Sequence, residues 1–203
     1  MLRTCSRRIS QVKPIIFNCN QSQCCSSQSS SLQLTLAILK PDLVQHPHNL
    51  AAVHNMILDN QFLVVRSKYL HLSRSRAEQF YQEHENKFFY TRLVTYMSGG
   101  PCQPLILAKR DAIKDWRALM GPTKVFSTRY SHPDTIRGRV GLTDTRNSSH
   151  GSDSDTTAAL EIGFFFPEFS IDDWNRDERY SFESGNVVFD EENFVHHRSE
   201  DSN

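Results

Sequence analysis

The body of the sequence contains almost no cysteine. Four of the five cysteines in the whole sequence lie within residues 1–25, and Cys102 is the only one that follows them. A disulfide framework requires paired cysteines in the folded part of a chain, and the adjacent pair Cys24-Cys25 lacks the spacing of a zinc site. We therefore expect a domain suited to a reducing compartment, without disulfide bonds or structural zinc.

Three further absences narrow the functional class. No apolar run approaches the roughly 20 residues that a transmembrane helix needs, so no membrane span is predicted. The 23 basic and 23 acidic side chains cancel, which argues against bulk binding of nucleic acid but does not exclude a local basic cleft. No specific nucleic-acid partner is expected. The sequence also has no Walker A, H-E-x-x-H or C-x-x-C pattern, which excludes a P-loop kinase or a zinc hydrolase by motif.

The two ends of the chain differ in charge from the middle. No acidic residue precedes Asp42, and residues 1–31 are rich in Ser and Gln and carry four cations, Arg3, Arg7, Arg8 and Lys13. This composition is typical of a mitochondrial transit segment, with an ordinary disordered leader as the alternative. Residues 168–203 carry eleven acids against three arginines without sustained periodicity, which predicts an acidic, flexible or loosely docked tail.

Residues 32–167 have the periodicity of one α/β domain. Strands are predicted over 32–39, 62–70 and 104–109, and helices over 49–59, 75–82, 89–97, 112–120 and around 158–165. Residues 123–149 are basic and are predicted to be mostly irregular, as functional loops often are. The order of elements predicts an α/β (α+β) fold, a ferredoxin-like β-α-β-β-α-β sandwich with an antiparallel sheet covered by helices.

Polar residues at the ends of these elements form a set suited to phosphate. They are Lys40, Arg117, Thr123, Arg137, Asn147 and His150. Arginine and lysine bind phosphate oxygens, and a helix N-terminus such as the one expected just after His150 favours an anion. A neutral imidazole can attack phosphorus near pH 7. Each residue also has a plain alternative, because surface loops contain the same types and Asn147-Ser148-Ser149 fits the N-glycosylation pattern.

Several motifs, in order along the chain, resemble those of one family. "RNSSHGSDS" at 146–154 resembles the N-x-x-H-G-S-D signature of nucleoside diphosphate kinases. "LAILKPD", "FFYTRLVTYMSGGP", "WRALMGPT", "TIRG" and "SDTTAALEIGFFFP" are similar to its other segments. The resemblance runs from about Gln33 to Phe166 and is strongest to the divergent animal branch known as member six. It implies an enzyme, a nucleoside-diphosphate kinase that acts as a phosphotransferase.

The resemblance also implies a role for each matching residue. His150 is the expected nucleophile that accepts phosphate, and Ser152 and Glu161 are expected to orient it. The nucleotide-binding residues are expected to be Lys40, Phe88, Arg117, Thr123, Arg137 and Asn147, with Phe88 stacking on the base; Tyr81 is a further match near the lysine. ATP and nucleoside diphosphates are the implied ligands, with Mg²⁺ held mainly by nucleotide phosphates and no direct metal ligand on the protein.

Some positions depart from the family pattern and keep alternatives open. The loop between Thr123 and Arg137 is three residues longer than usual, and Lys124-Val125 replaces a proline; since this loop packs around a three-fold axis in the family, the oligomeric state stays open. The stretch from Tyr81 to Phe88 is one residue shorter than usual. Two functions remain: a kinase working through phosphohistidine at His150, or a nucleotide-binding module that needs a mitochondrial protein partner.

Overall fold

The computed structural model describes residues 31–199. The strands are β1 (Gln33–Leu39), β2 (Leu63–Ser67), β3 (Leu70–His71), β4 (Pro101–Lys109), β5 (Ser149–Gly151), β6 (Val187–Asp190) and β7 (Val195–Arg198). The helices are α1 (Pro41–Val44), α2 (Pro47–Asp59), α3 (Arg74–Phe80), α4 (Tyr90–Met97), α5 (Ala112–Met120), α6 (Val125–Ser131), α7 (Ile136–Val140), α8 (Asp155–Phe165), α9 (Ile171–Asp177) and α10 (Arg179–Ser184). Apart from its last residue, the predicted leader lies outside the described residues. None of the helices within 31–199 is both long and apolar enough to cross a bilayer.

The main sheet has the strand order β2-β4-β1-β5, and every neighbouring pair is antiparallel. Helices α1, α2, α5 and α7 place apolar residues on one face of the sheet, whereas α3, α4 and α8 pack on the other. The ferredoxin-like antiparallel sandwich predicted from the order of elements is therefore confirmed.

Strand β1 is buried on both faces and alternates between two apolar clusters. Leu36 and Ile38 belong to the cluster under α3, α4 and α8, and Ala37 and Leu39 belong to the cluster under α2 and α5. Side chains of a strand alternate between the faces of its sheet, so a run of apolar residues suits a strand with helices on both sides. The central strand thus holds both halves of the core together.

The edge strand β5 is fixed from two directions. His150 pairs with Ile38 of β1, and the indole Nε1 of Trp116 donates a hydrogen bond to the carbonyl oxygen of His150 (3.0 Å). At Gly151 a Cβ atom would lie 2.3 Å from Cδ1 of Trp116, so only glycine lets the ring approach this closely. The backbone that carries His150 is therefore fixed by β1 and α5 together.

Residues 123–149 are more regular than predicted. They contain α6 and α7, and the hydroxyl of Thr135 caps α7 by accepting a hydrogen bond from the backbone N–H of Gly138. Both helices have seven residues or fewer, which is too short for a clear apolar period. The segment was interpreted from its basic residues, and Thr135 was not identified as a helix N-cap. The sequence prediction missed both short helices, although more than half of the segment lies outside helices and strands.

The prediction of an acidic, flexible tail is wrong for residues 171–198. They form α9, α10 and the β6–β7 hairpin. Trp174 and Phe182 belong to the cluster on one face of the main sheet, and Phe194 belongs to the cluster on the other face. A few buried aromatic side chains outweigh the acidic composition, because each one removes a large apolar area from water. The segment reaches around the β2 edge from one face to the other.

The hairpin also covers the edge of β2. The backbone N–H of Val64 donates to Nδ1 of His196 (3.0 Å), a contact that joins residues 132 positions apart. Burial lowers the pKa of His196 to about 4, so its ring is neutral and able to accept this bond at physiological pH. An edge strand that exposes unpaired N–H groups can pair with another chain, and the hairpin prevents this on the β2 side.

We predict that Trp174→Ala lowers the free energy of unfolding by about 3–5 kcal/mol, the usual loss when a buried Trp is truncated. Tyr180→Ala is the matched control, because Tyr180 is 78% exposed on α10 whereas Trp174 is 1% exposed on α9. Urea unfolding of both variants measures the difference. Equal stability of the two variants would contradict the docking of this segment.

Candidate active site

A cavity of about 1220 Å³ opens beside the ends of β1 and β5. It is lined by nine of the ten residues predicted for the site: Lys40, Tyr81, Phe88, Arg117, Thr123, Arg137, Asn147, His150 and Glu161. Ser152 is buried behind this lining and reaches the cavity only through Glu161. Residues from seven separate segments therefore meet in one place, with room for a whole nucleotide.

His150 lies in β5, and its ring is held by α8. Its Nε2 atom is 2.9 Å from Oε1 of Glu161, and the hydroxyl of Ser152 donates to the other carboxylate oxygen of Glu161 (2.5 Å). Glu161 stands in the second turn of α8, so the imidazole contacts the side of this helix. With a proton on Nε2, the lone pair of Nδ1 is left for chemistry.

Lys40 is a buried cation, 6% exposed, at the end of β1. Its Nζ atom donates to Oδ1 of Asn147 (2.7 Å), and the amide nitrogen of Asn147 donates to the carbonyl oxygen of Asp144 (3.0 Å). Burial, and next the charge of Arg137, lower the pKa of Lys40 to about 7, while Asp42 opposes the shift. Without a ligand, Lys40 is therefore close to losing its positive charge at neutral pH.

Two arginines add positive charge to the same cavity. Arg137 is buried and donates to the carbonyl oxygens of Gly121 (2.6 Å) and Ser149 (3.1 Å), and its Nε atom has no partner among the described residues. Burial, and next the charge of Arg117, lower the pKa of Arg137 to about 10. Arg117 itself is exposed at the rim. Clustered cations that lower each other's pKa indicate a site for an anion.

The aromatic wall of the cavity contains two neighbouring rings. Phe88 is 93% exposed and touches Phe89 edge-on, with ring centroids 5.5 Å apart. Phe89 also lines the cavity, but it is half-buried and packs against the core and against the ring of His84. The sequence prediction named only Phe88, although Phe89 offers a more firmly held surface.

Tyr81 lies under the same wall. Its ring is buried, and its hydroxyl has no hydrogen-bond partner within residues 31–199. Burial raises the pKa of this hydroxyl strongly, so it stays protonated and can donate. A buried hydroxyl without a partner beside a cationic cavity is suited to a polar ligand group.

Sequence reasoning missed residues that act from outside the cavity. The carboxylate of Asp42 accepts hydrogen bonds from the N–H and the hydroxyl of Ser148, and from the hydroxyl of Tyr96. Trp116 supports β5 from α5. The Lys-Pro-Asp string contained Asp42, but no periodicity or composition connects it with a residue 106 positions away.

Comparisons with known proteins show which family and fold the chain resembles. The family model described as nucleoside diphosphate kinase matches residues 33–171. Nucleoside diphosphate kinase 6 from Danio rerio is 51% identical over 166 residues, which span 82% of this chain and 94% of that protein. A crystal structure of the Aquifex aeolicus nucleoside diphosphate kinase is 32% identical, covers 67% of this chain and 96% of its own, and has a TM-score of 0.64. The structure of the nucleoside diphosphate kinase from Halobacterium salinarum in complex with CDP is 30% identical. The match covers 66% of this chain and 87% of that chain, with a TM-score of 0.61.

We predict that Lys40→Met stabilises the protein without ligand, and most strongly at low pH. The unfolded chain keeps Lys40 charged up to its ordinary pKa of 10.5, whereas the folded pKa is about 7. Between these values the unfolded state binds more protons, so wild-type stability rises with pH through this window. The advantage of the variant is therefore greatest at pH 6–7 and shrinks toward pH 10.

Thermal unfolding at several pH values measures this advantage. Lys114→Met, at an exposed position of α5, controls for the introduction of a methionine. A difference between wild type and Lys40→Met that stays constant from about pH 6 to pH 10 would show that the lysine is not destabilised by burial.

Proposed function

Because the chain belongs to the nucleoside diphosphate kinase family, we propose that it transfers the γ-phosphate of ATP to other nucleoside diphosphates through a phosphohistidine at His150. The observation that carries the mechanism is the ring geometry: Glu161 holds Nε2, and the half-buried imidazole lines the cationic cavity. A carboxylate on one ring nitrogen fixes the tautomer and leaves the other nitrogen as the nucleophile.

The proposed reaction has two half-reactions. The lone pair on Nδ1 of His150 attacks the γ-phosphorus of ATP, and the bond to the oxygen bridging the β- and γ-phosphates breaks, so that ADP leaves with that electron pair. A terminal oxygen of another nucleoside diphosphate then attacks the phosphohistidine, and the N–P bond breaks. Glu161 stabilises the positive charge that the imidazole gains when Nδ1 is phosphorylated and loses when the N–P bond breaks, and Ser152 keeps the carboxylate in place.

Lys40, Arg117 and Arg137 are the proposed phosphate-binding cations, with Thr123 at the rim of the cavity. Arg117 and Thr123 are exposed and can adjust to a ligand, whereas Lys40 and Arg137 are already held by Asn147 and by backbone carbonyls. A phosphate beside Lys40 favours its charged form, so we expect the lysine to take up a proton when nucleotide binds above pH 7. Asn147, already bonded to this lysine, is the proposed amide contact to the sugar end of the nucleotide.

The nucleobase is proposed to stack on the aromatic wall. Stacking on a ring tolerates every base, since each base has a π-face. Phe88 is the more accessible ring, but the interval from Tyr81 to Phe88 is one residue short for the family, and counting to Phe89 removes this shortfall. Phe89 is also the more firmly packed ring. We therefore propose that Phe89 supports the base and that Phe88 covers it from the open side.

Magnesium is proposed as the cofactor, held mainly by nucleotide phosphates. Residues 31–199 contain no group of three or more His, Cys, Asp or Glu side chains able to hold a metal ion by themselves. Two carboxylates, Asp144 and Asp153, do line the cavity and suit contacts to water molecules around a hard cation. When bound, Mg²⁺ would neutralise phosphate charge.

We expect labelled ATP with Mg²⁺ to give a phosphoenzyme that is labile to acid and stable to base, and that His150→Ala lacks. Glu161→Gln should slow its formation by about 10- to 100-fold, because the tautomer is no longer fixed. His71→Ala, an exposed histidine on β3, is the matched control. If folded wild type takes up no label, the kinase mechanism fails; if exchange begins only after a mitochondrial extract is added, the binding module that needs a partner is the better description.

We also propose that the protein acts in mitochondria, on the basis of the acid-free leader rich in Arg and Ser. Residues 1–31 fused to a fluorescent protein should direct it to mitochondria, and replacement of Arg3, Arg7 and Arg8 by Glu should abolish this. A chain without residues 1–31 that still reaches mitochondria would show that the address lies elsewhere.

A further inference from the structure

Asp42 is half-buried beside the site but does not line the nucleotide cavity. One carboxylate oxygen accepts hydrogen bonds from both the backbone N–H and the hydroxyl of Ser148, each at 3.1 Å. The other oxygen accepts the hydroxyl hydrogen of Tyr96 in α4. Three donors thus converge on one side chain that has no role in the proposed phosphate contacts.

Ser148 has an uncommon backbone conformation. Its φ angle is +67°, in the left-handed region that favours glycine. A residue with a side chain is strained there and persists only when its surroundings hold it. The two hydrogen bonds to Asp42 are such a restraint, and Ser148 in turn accepts a hydrogen bond from the backbone N–H of Lys40 (2.9 Å).

The position of Ser148 gives this conformation a consequence. It stands between Asn147, which binds Lys40, and the strand β5, which carries His150. The backbone angles at Ser148 set the direction in which β5 leaves the loop, and hence the distance between the imidazole and the lysine.

We propose that Asp42 is a positioning residue of the phosphotransfer site, which holds Ser148 in the left-handed conformation and so places His150 relative to Lys40. This inference rests on the proposed function. The competing account is electrostatic, because Asp42 also favours the charged form of Lys40. The two accounts separate at Ser148: glycine adopts a positive φ without help, so it replaces the restraint but not the charge.

The test is a double-mutant cycle of Asp42→Ala and Ser148→Gly in the full chain. Asp42→Ala should lower the single-turnover rate of His150 phosphorylation by about 10- to 100-fold, since a small misplacement of reacting groups has effects of this size. Adding Ser148→Gly should bring the rate back to within about threefold of Ser148→Gly alone, as expected when the two residues act on one feature. Asp59→Ala, an exposed aspartate at the end of α2, should leave the rate unchanged.

A second readout does not depend on activity. In the protein without nucleotide, the NMR signals of the His150 imidazole should shift in Asp42→Ala and return toward their wild-type positions in the double variant. If the wild type forms no phosphoenzyme but the signals still shift in Asp42→Ala and return in the double variant, the proposed function fails and the positioning role stands. If Asp42→Ala does not fold, Asp42→Asn takes its place in the cycle. The amide has one accepting oxygen where the carboxylate has two, so it keeps part of the restraint and loses the rest.

Two results would overturn the inference. One is an Asp42→Ala variant whose rate and imidazole signals equal those of wild type. The other is a double variant that is as slow as Asp42→Ala and whose pH–rate profile is displaced to lower pH, which would assign the effect of Asp42 to the charge of Lys40.

Discussion

The pairing of β5 with the end of β1 is the contact on which the site depends. It places His150 opposite Ile38, two residues before Lys40 in the central strand of the sheet. Because β1 is buried on both faces, its position is set by the whole core. The pairing with β1 therefore fixes the position of β5 as well. Trp116 and Glu161 then fix the backbone and the ring of His150 from two different helices.

The electrostatics of the cavity follow from this arrangement. Lys40 and Arg137 are buried together with few opposing charges, and burial lowers the pKa of each. Such an arrangement is unfavourable for the free protein and favourable once an anion lies between the cations. Backbone carbonyls and Asn147 keep both cations in place, so the site is organised before the ligand arrives.

Much of this architecture could be predicted from the sequence, and the exceptions have physical reasons. Alternating apolar residues predicted β1, and the resemblance of residues 146–154 to a family signature singled out His150, because both are local patterns. The docking of Trp174 could not be predicted, since isolated aromatics within an acidic stretch give no period. The conformation of Ser148 depends on Asp42, 106 positions away, and no local pattern contains such a contact. The sequence prediction chose Phe88, although the family interval from Tyr81 favours Phe89, and the packing of Phe89 against the core is a further reason that no local pattern contains.

The C-terminal hairpin has a consequence for the order of folding. The bond between Val64 and His196 closes a loop of 132 residues, and contacts this distant in the chain form late, because the entropy of closing the loop must be overcome first. Until they form, the outer edge of β2, with its apolar Leu63, Val64 and Val65, remains available to another molecule. A molecule whose hairpin has not yet docked therefore leaves one side of its sheet uncovered, and such an edge can pair with another chain.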